Sequence, residues 1–123
     1  MVSGMSKINN AWKNFITYAF VLFLLFVSLE SFSQITVTHF NAEWNKANGV
    51  TWLKKLNDCD VSTVDIVKQP KLQTKHKIVV VPTIIIYKDG EEVKRFQADV
   101  SFKMAATREE VQEYIDELIM SDF

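Results

Sequence analysis

Cysteine and histidine are scarce in this sequence, which has one cysteine and two histidines among 123 residues. The single cysteine, Cys59, cannot form a disulfide within the chain, so the hydrophobic core alone must hold the fold together. His39 and His76 fall in different predicted elements, and the chain shows none of the close ligand spacing of a zinc site. We therefore expect neither a metal ion nor another cofactor.

An excess of charge of one sign is also missing, because 14 Lys and Arg residues stand against 15 Asp and Glu residues. The formal net charge is −1, whereas proteins that bind nucleic acid nonspecifically present a strong positive field. The charge balance therefore argues against a nucleic-acid partner. The length suits a single domain.

One apolar run stands apart from the rest of the chain. Residues 15–29 carry no charge, and Lys7 and Lys13 precede them. Ser31-Phe32-Ser33 follows, with small residues at its first and third places. A basic start, a short apolar stretch and a small-x-small exit are typical of a secretory signal peptide.

We predict cleavage after Ser33, which makes residues 1–33 a signal peptide and residues 34–123 the exported domain. The alternative is an uncleaved signal anchor, although Glu30 closes the run short of the roughly 20 apolar residues that a membrane span needs. Either interpretation places the folded part outside the cytoplasm, in a bacterial-type periplasm or cell envelope. We expect a membrane contact only if the leader stays uncleaved.

Alternation and helical spacing divide the remaining chain into strands and helices in the order β-α-β-α-β-β-α. This order predicts an α/β fold with a mixed sheet flanked by helices. The strands are predicted at residues 35–40, 60–67, 83–87 and 92–96, and the helices at about 47–56, at 69–76 and from 107 onward.

Local signals support three of these elements. Residues 78–87 form a second apolar run. Pro82 divides it because proline cannot donate to a strand ladder, and the uninterrupted apolar residues after Pro82 predict a strand buried on both faces. Asp89-Gly90 is the preferred chemistry of a hairpin turn. Thr107 and Glu110 form a capping-box pattern at the start of the last helix.

Three short motifs lie within this order of elements. Phe40-Asn41-Ala42-Glu43-Trp44 resembles the F-x-A-E-W stretch of thioredoxins, Val81-Pro82-Thr83 resembles the family's cis-proline motif, and Lys88-Asp89-Gly90-Glu91 resembles the hairpin after it. The ordered set covers nearly all of residues 35–119. The resemblance to the thioredoxin family implies a thioredoxin-like fold that lacks the usual first strand and helix, with a cis peptide bond before Pro82.

The chemistry of that family is missing from its usual positions. Where thioredoxins carry Cys-x-x-Cys after the tryptophan, this chain has Asn45-Lys46-Ala47-Asn48. Thiol–disulfide exchange needs an attacking thiolate and a second, resolving thiol, and a carboxamide supplies neither. We therefore expect no dithiol oxidoreductase activity and assign no catalytic residue.

Two further departures concern structure. The family usually has a buried Asp just before its phenylalanine, and this chain has His39 there, which we interpret as a partly buried strand residue with a hydrogen-bond partner. Residues 98–106 are longer than the family's usual link. The alternation of Val100, Phe102 and Met104 in this segment predicts an extra edge strand.

The surface that the resemblance implies for ligand binding is the family's substrate groove, where an extended peptide pairs through main-chain hydrogen bonds. Such recognition needs backbone groups and an apolar contact rather than cysteine. The alternative is that Trp44 only packs on the scaffold. The groove candidates are Trp44, Asn45, Lys46, Ala47, Asn48, Val81 and Pro82.

Three functions fit these observations. The leading hypothesis is a noncatalytic module that binds a protein or an extended peptide, or acts as a scaffold. The alternative is a monothiol redox protein acting through Cys59, although the neighbouring Asp58 and Asp60 should raise the pKa of its thiol and lower its reactivity. The third is a subunit of a larger envelope complex that uses the edge strand near Phe102 as its contact.

Overall fold

The computed structural model describes residues 34–122, so the predicted signal peptide lies outside the described residues. The strands are β1 (Ile35–Asn41), β2 (Asp60–Asp65), β3 (Thr83–Lys88) and β4 (Glu91–Gln97), and the α-helices are α1 (Pro70–Lys75) and α2 (Arg108–Met120). Two 3-10 segments, Glu43–Asn48 and Leu53–Lys55, lie between β1 and β2. In this part of the chain, neither α-helix has the length and apolar content to cross a membrane.

The strands form one mixed sheet in the order β2-β1-β3-β4. β1 runs parallel to β2 and antiparallel to β3, and β3 pairs with β4 as an antiparallel hairpin. The end of β1 and the start of β3 therefore lie side by side, with Phe40 opposite Thr83. This edge of the sheet carries both the segment that follows β1 and the proline that precedes β3.

The sheet is packed on both faces, as expected for an α/β fold. On one face Val37, Ile84 and Ile86 pack with Val111 and Ile115 of α2. On the other face Phe40 and Ile85 pack with Ile66 and Ile78, residues on either side of α1. Ile84, Ile85 and Ile86 are fully buried, which confirms the prediction that β3 is covered on both faces.

The local signals in the sequence are confirmed. Asp89 and Gly90 both have positive φ, 53° and 85°, as a tight turn of the primed type requires. The Thr107 hydroxyl accepts a hydrogen bond from the Glu110 N–H at 3.2 Å, which caps α2. α1 begins at Pro70, because a first-turn position has no need of the missing N–H.

The helix predicted at about 47–56 is wrong as a continuous element. Gly49 is extended, with φ −60° and ψ 151°, and separates the two 3-10 segments. Asn48 donates its side-chain amide to the Asn45 side chain at 2.9 Å, and such local side-chain bonding competes with regular helix. Leu53 and Leu56 still reach the core, since a spacing of three also fits a 3-10 turn.

The edge strand predicted within residues 98–106 is also wrong. The Asp99 carboxylate accepts hydrogen bonds from the backbone N–H groups of Ser101 and Lys103, which folds the segment back on itself. Phe102 has φ 62°, a left-handed conformation that a strand cannot contain. The proposed contact of a larger complex through this strand therefore has no strand to use.

Candidate functional site

The candidate site lies where the end of β1, the start of β3 and the segment after β4 meet. β1 ends at Asn41 and leads directly into the 3-10 segment Glu43–Asn48. The Val81–Pro82 peptide bond is cis, as the resemblance implied. The Pro82 carbonyl accepts a hydrogen bond from the Ala98 N–H at 3.0 Å, which places the segment after β4 beside it.

Asn45 is the centre of the site and is buried, with 4% of its surface exposed. Its side-chain Nδ2 donates toward three oxygens: Asn41 Oδ1 at 3.1 Å, the Val81 carbonyl at 3.3 Å and the Phe102 carbonyl at 3.2 Å. One side chain thus connects β1, the cis-proline loop and the segment after β4. Asn45, which was predicted to line the groove, is therefore a buried residue that joins three segments by hydrogen bonds and not an exposed residue of the groove surface.

The neighbouring amides complete a small cluster of Asn41, Asn45 and Asn48, which we call the amide cluster. Asn41 Nδ2 donates to the Asn45 carbonyl at 3.3 Å, and Asn48 Nδ2 donates to Asn45 Oδ1 at 2.9 Å. Both polar atoms of the Asn45 side chain are therefore engaged, as a buried amide requires. The two positions that hold cysteine in thioredoxins are bonded to each other through their side chains.

Trp44 stands at the surface of the site, with 61% of its area exposed. Its ring meets the Phe102 ring edge to face, with centroids 5.3 Å apart and planes at 89°, which is a favoured aromatic geometry. Phe102 is itself 42% exposed. Trp44 therefore packs against Phe102 and still leaves most of its surface in solvent.

The remaining groove candidates divide into two groups. Lys46 and Ala47 are exposed on the 3-10 segment, whereas Val81 and Pro82 are buried. The loop that holds Pro82 is braced by Thr83, whose hydroxyl donates to the Val80 carbonyl at 2.6 Å. The structure thus brings all of the candidates to one end of the sheet but leaves only Trp44, Lys46 and Ala47 broadly open to solvent.

Residues 99–103, which we call the strap, lie against this site. The strap is held together from within, because Asp99 Oδ1 accepts hydrogen bonds from the Ser101 N–H, the Ser101 hydroxyl and the Lys103 N–H at 2.6–3.2 Å. The backbone adds bonds from the Asp99 N–H to the Lys103 carbonyl and from the Phe102 N–H to the Asp99 carbonyl. The strap is therefore a preformed unit.

His39 is buried in β1, two residues before Asn41 of the amide cluster. Its Nε2 accepts a hydrogen bond from the Val50 N–H at 3.4 Å, so the proton of the neutral ring is on Nδ1. Burial lowers the pKa of His39, because an imidazolium ion is poorly solvated there. The structure agrees with a strand histidine that has a hydrogen-bond partner.

Cys59 is at the other end of β1. Its neighbour Asp60 pairs with Thr36 near the start of β1. Because β1 extends roughly 17 Å from Thr36 to Asn41, Cys59 lies far from the amide cluster. The thiol is half-buried, and burial, then Asp60, then Asp58 raise its pKa. The acidic neighbours act in the direction predicted from the sequence.

Among residues 34–122, no group of three or more His, Cys, Asp or Glu side chains is placed to hold a metal ion. Sequence reasoning missed two residues of the site, Asn41 and Asp99, and placed Phe102 in an edge strand rather than at this site. Asn41 stands inside the F-x-A-E-W motif, where its variable position gave no signal. Asp99 two residues before a serine is a turn signal that the alternation around it obscured.

Comparison with known proteins agrees with this geometry. The model of the thioredoxin family matches residues 34–117, and the fold is that of solved thioredoxins. A point mutant of thioredoxin from Halobacterium salinarum is 19% identical, with TM-score 0.56 over 68% of this chain and 74% of that chain. Thioredoxin 1 from Thermosipho africanus is 23% identical, with TM-score 0.53 over 72% of this chain and 99% of that chain.

A third solved structure, thioredoxin-2 of the malaria parasite, is 19% identical, with TM-score 0.53 over 69% of this chain and 84% of that chain. A search of curated proteins finds no match to the chain. The match of the family model covers most of the chain, and the chain belongs to the thioredoxin family.

Proposed function

We propose that this member of the thioredoxin family is an exported, noncatalytic module that binds a protein or an extended peptide. The observation that supports it best is the pairing of two features at one site. The positions of the family's cysteines hold the bonded side chains of Asn45 and Asn48, and an exposed aromatic residue, Trp44, stands directly beside them.

The first feature concerns the chemistry. Disulfide exchange requires a thiolate that attacks sulfur and a second thiol that resolves the mixed disulfide. A carboxamide has no such nucleophile, and the Asn45 side chain is both buried and hydrogen-bonded. We infer that the site performs no dithiol chemistry.

The second feature concerns binding. Exposed aromatic side chains supply much of the binding energy at protein interfaces because they bury a large area with few rotatable bonds. Trp44 and Phe102 are both exposed and form one continuous aromatic pair. The Val81 carbonyl accepts a hydrogen bond from Asn45, so recognition relies on the Trp44 ring more than on main-chain pairing at Val81.

The monothiol alternative depends on Cys59, and the structure offers it little support. The thiol lies at the far end of β1 from Trp44, is half-buried and has a raised pKa. A raised pKa leaves less thiolate at neutral pH, and the thiolate is the reactive form. Redox work through Cys59 would therefore be slow and remote from the aromatic pair.

Export is part of the proposal and rests on the sequence of residues 1–33. Expression of the full chain in a bacterium, followed by fractionation and N-terminal sequencing, tests it. The proposal predicts protein in the periplasm or envelope that begins at Gln34. Cytoplasmic protein that still begins at Met1 would contradict it.

Binding is tested with a displayed library of random peptides selected on the folded protein. Peptides selected on the unmodified chain should lose about tenfold or more in affinity for Trp44→Ala, the size of a loss at a central aromatic contact. Met120→Ala is the matched control, since Met120 is also an exposed apolar residue but lies near the Lys88–Asp122 ion pair, and Lys88 pairs with Ile35 at the opposite end of β1. The proposal fails if no peptide is selected, or if the two variants bind alike.

A further inference from the structure

The strap is attached to the site by contacts of a kind that a ligand could replace. Among the described residues, its one hydrogen bond to the rest of the chain is from Asn45 Nδ2 to the Phe102 carbonyl. A second attachment is the ring contact between Phe102 and Trp44. A main-chain carbonyl and an aromatic ring of the same residue thus occupy the site together.

Removal of the strap would leave no polar group of Asn45 without a partner. The Nδ2 amide has two hydrogens and three acceptors, of which Asn41 Oδ1 and the Val81 carbonyl remain when Phe102 leaves. The contact can therefore open without the cost of a buried, unpaired donor. The carbonyl of an incoming residue can take up the same third position.

The middle of the strap is not held by packing in the core. Val100 in its middle is 99% exposed, so no side chain there is packed in a core. Its two ends are held elsewhere, by the Ala98 N–H on the Pro82 carbonyl and by Met104, which packs against the core beside α2. The five residues between these anchors keep their internal bonds to Asp99 and can move as a unit.

We propose that the strap is an internal ligand that occupies the site in the free chain, and that the partner that displaces it is a protein segment with an aromatic residue. This inference rests on the proposed binding function. The incoming residue places its ring against Trp44 and its carbonyl at Asn45 Nδ2, in the arrangement that Phe102 now has. The amide at the position of the family's first cysteine thereby acts as a ligand-binding group.

The test uses the full chain and two fluorescent peptides that copy residues 97–105, one natural and one with alanine in place of the phenylalanine. Phe102→Gly removes the competing ring and suits the left-handed backbone at φ 62°, which glycine adopts without strain. The natural peptide should bind Phe102→Gly about two- to tenfold more tightly than it binds the unmodified chain, the size of one aromatic pair. Adding Trp44→Ala should remove this gain.

Val100→Gly is the matched control because it changes a strap residue whose side chain is almost fully exposed and which contributes neither the ring against Trp44 nor the carbonyl at Asn45. It should leave the affinity unchanged, and a gain equal to that of Phe102→Gly would show that only strap flexibility matters, which would overturn the inference. Equal binding of the two peptides would overturn the requirement for an aromatic residue. Dimers of the unmodified chain that dissociate with Phe102→Gly would mean that the occupant is the strap of a second copy, which would also overturn it.

Failure of this inference can be told apart from failure of the proposed function. Selected peptides that need Trp44 but bind Phe102→Gly no more tightly than the unmodified chain would leave the binding function in place and overturn the strap as internal ligand. The absence of any Trp44-dependent peptide on both chains would overturn both.

Discussion

The Asn45 side-chain amide donates a hydrogen bond to the Val81 carbonyl, 3.3 Å away. Asn45 stands at the position of a redox cysteine in thioredoxins, and Val81 precedes the cis-proline. An amide placed here both lacks a nucleophile and engages a main-chain acceptor beside the proline. The residue at this position thus changes both the chemical groups of the site and the contacts of the cis-proline loop.

The amide cluster should contribute measurably to stability. Asn45→Ala removes a donor from the Asn41 side chain and from the Val81 carbonyl, and we expect a loss of about 2–3 kcal/mol because buried acceptors are left unpaired. Asn48→Ala removes the donor to Asn45 Oδ1, but this contact is only half-buried, so water can replace the donor and the cost should be about 0.5–1.5 kcal/mol, the worth of one hydrogen bond. Urea unfolding of the two variants measures the difference, and equal losses would contradict the central role of Asn45.

Stability should fall as the solution becomes acidic, in part because of His39. Burial lowers the pKa of His39 in the folded chain, so between that pKa and the ordinary value of about 6.5 the unfolded chain binds a proton that the folded chain does not. The contribution of neutral His39 to the free energy of unfolding is therefore complete above about pH 6.5 and is lost as pH decreases through the pKa of His39 in the folded chain.

Urea midpoints at pH 7.5 and pH 5.5 check the effect. His39→Gln keeps an acceptor near the Val50 N–H but does not titrate, so its midpoint should fall less than that of the unmodified chain. His76 is present in both proteins, and its contribution cancels in the comparison. Equal decreases in the urea midpoint of the two chains between pH 7.5 and pH 5.5 would contradict this role of His39.

The Cys59 thiol should react slowly in the folded protein. Burial is the first cause of its raised pKa, and Asp60 and Asp58 add to it. Asp58→Asn together with Asp60→Asn should speed alkylation at pH 7.5, and unfolding in urea should speed it further, because burial is then lost as well. Glu113→Gln is the control for a distant exposed carboxylate, and a thiol that reacts at the same rate in all of these would contradict the assignment.

The strap should tolerate loss of its aromatic ring. Phe102→Gly loses an aromatic pair worth about 0.5–1.5 kcal/mol but relieves a left-handed conformation that costs a non-glycine residue about 1–2 kcal/mol. The net change in the free energy of unfolding should therefore be smaller than about 1 kcal/mol. A loss greater than about 2 kcal/mol would mean that the ring belongs to the core.

Much of the sheet could be predicted from local patterns. The β-branched run predicted that β3 is buried, Asp89-Gly90 predicted the hairpin turn, and Thr107 predicted the start of α2. Each of these signals lies within a few residues of the structure it specifies. The F-x-A-E-W and Val-Pro-Thr motifs then gave the family and the location of the site.

The interior of the site could not be predicted in the same way. The bonds from Asn45 to Val81 and to Phe102 join residues 36 and 57 positions apart, and no local pattern encodes them. Alternation in residues 98–106 suggested a strand, but the Asp99 side chain took the backbone N–H groups that a strand would have used. Side-chain hydrogen bonds decided both the broken helix and the strap.

The central claim is that the site has lost dithiol chemistry while the scaffold remains. The most direct measurement is disulfide-reductase activity of the unmodified chain, of a double variant with Asn45→Cys and Asn48→Cys, and of Cys59→Ala, beside a thioredoxin with an intact Cys-x-x-Cys motif. We predict no activity above background in the unmodified chain and measurable turnover in the double variant. Turnover by the unmodified chain that disappears in Cys59→Ala would contradict the account and identify a monothiol redox protein.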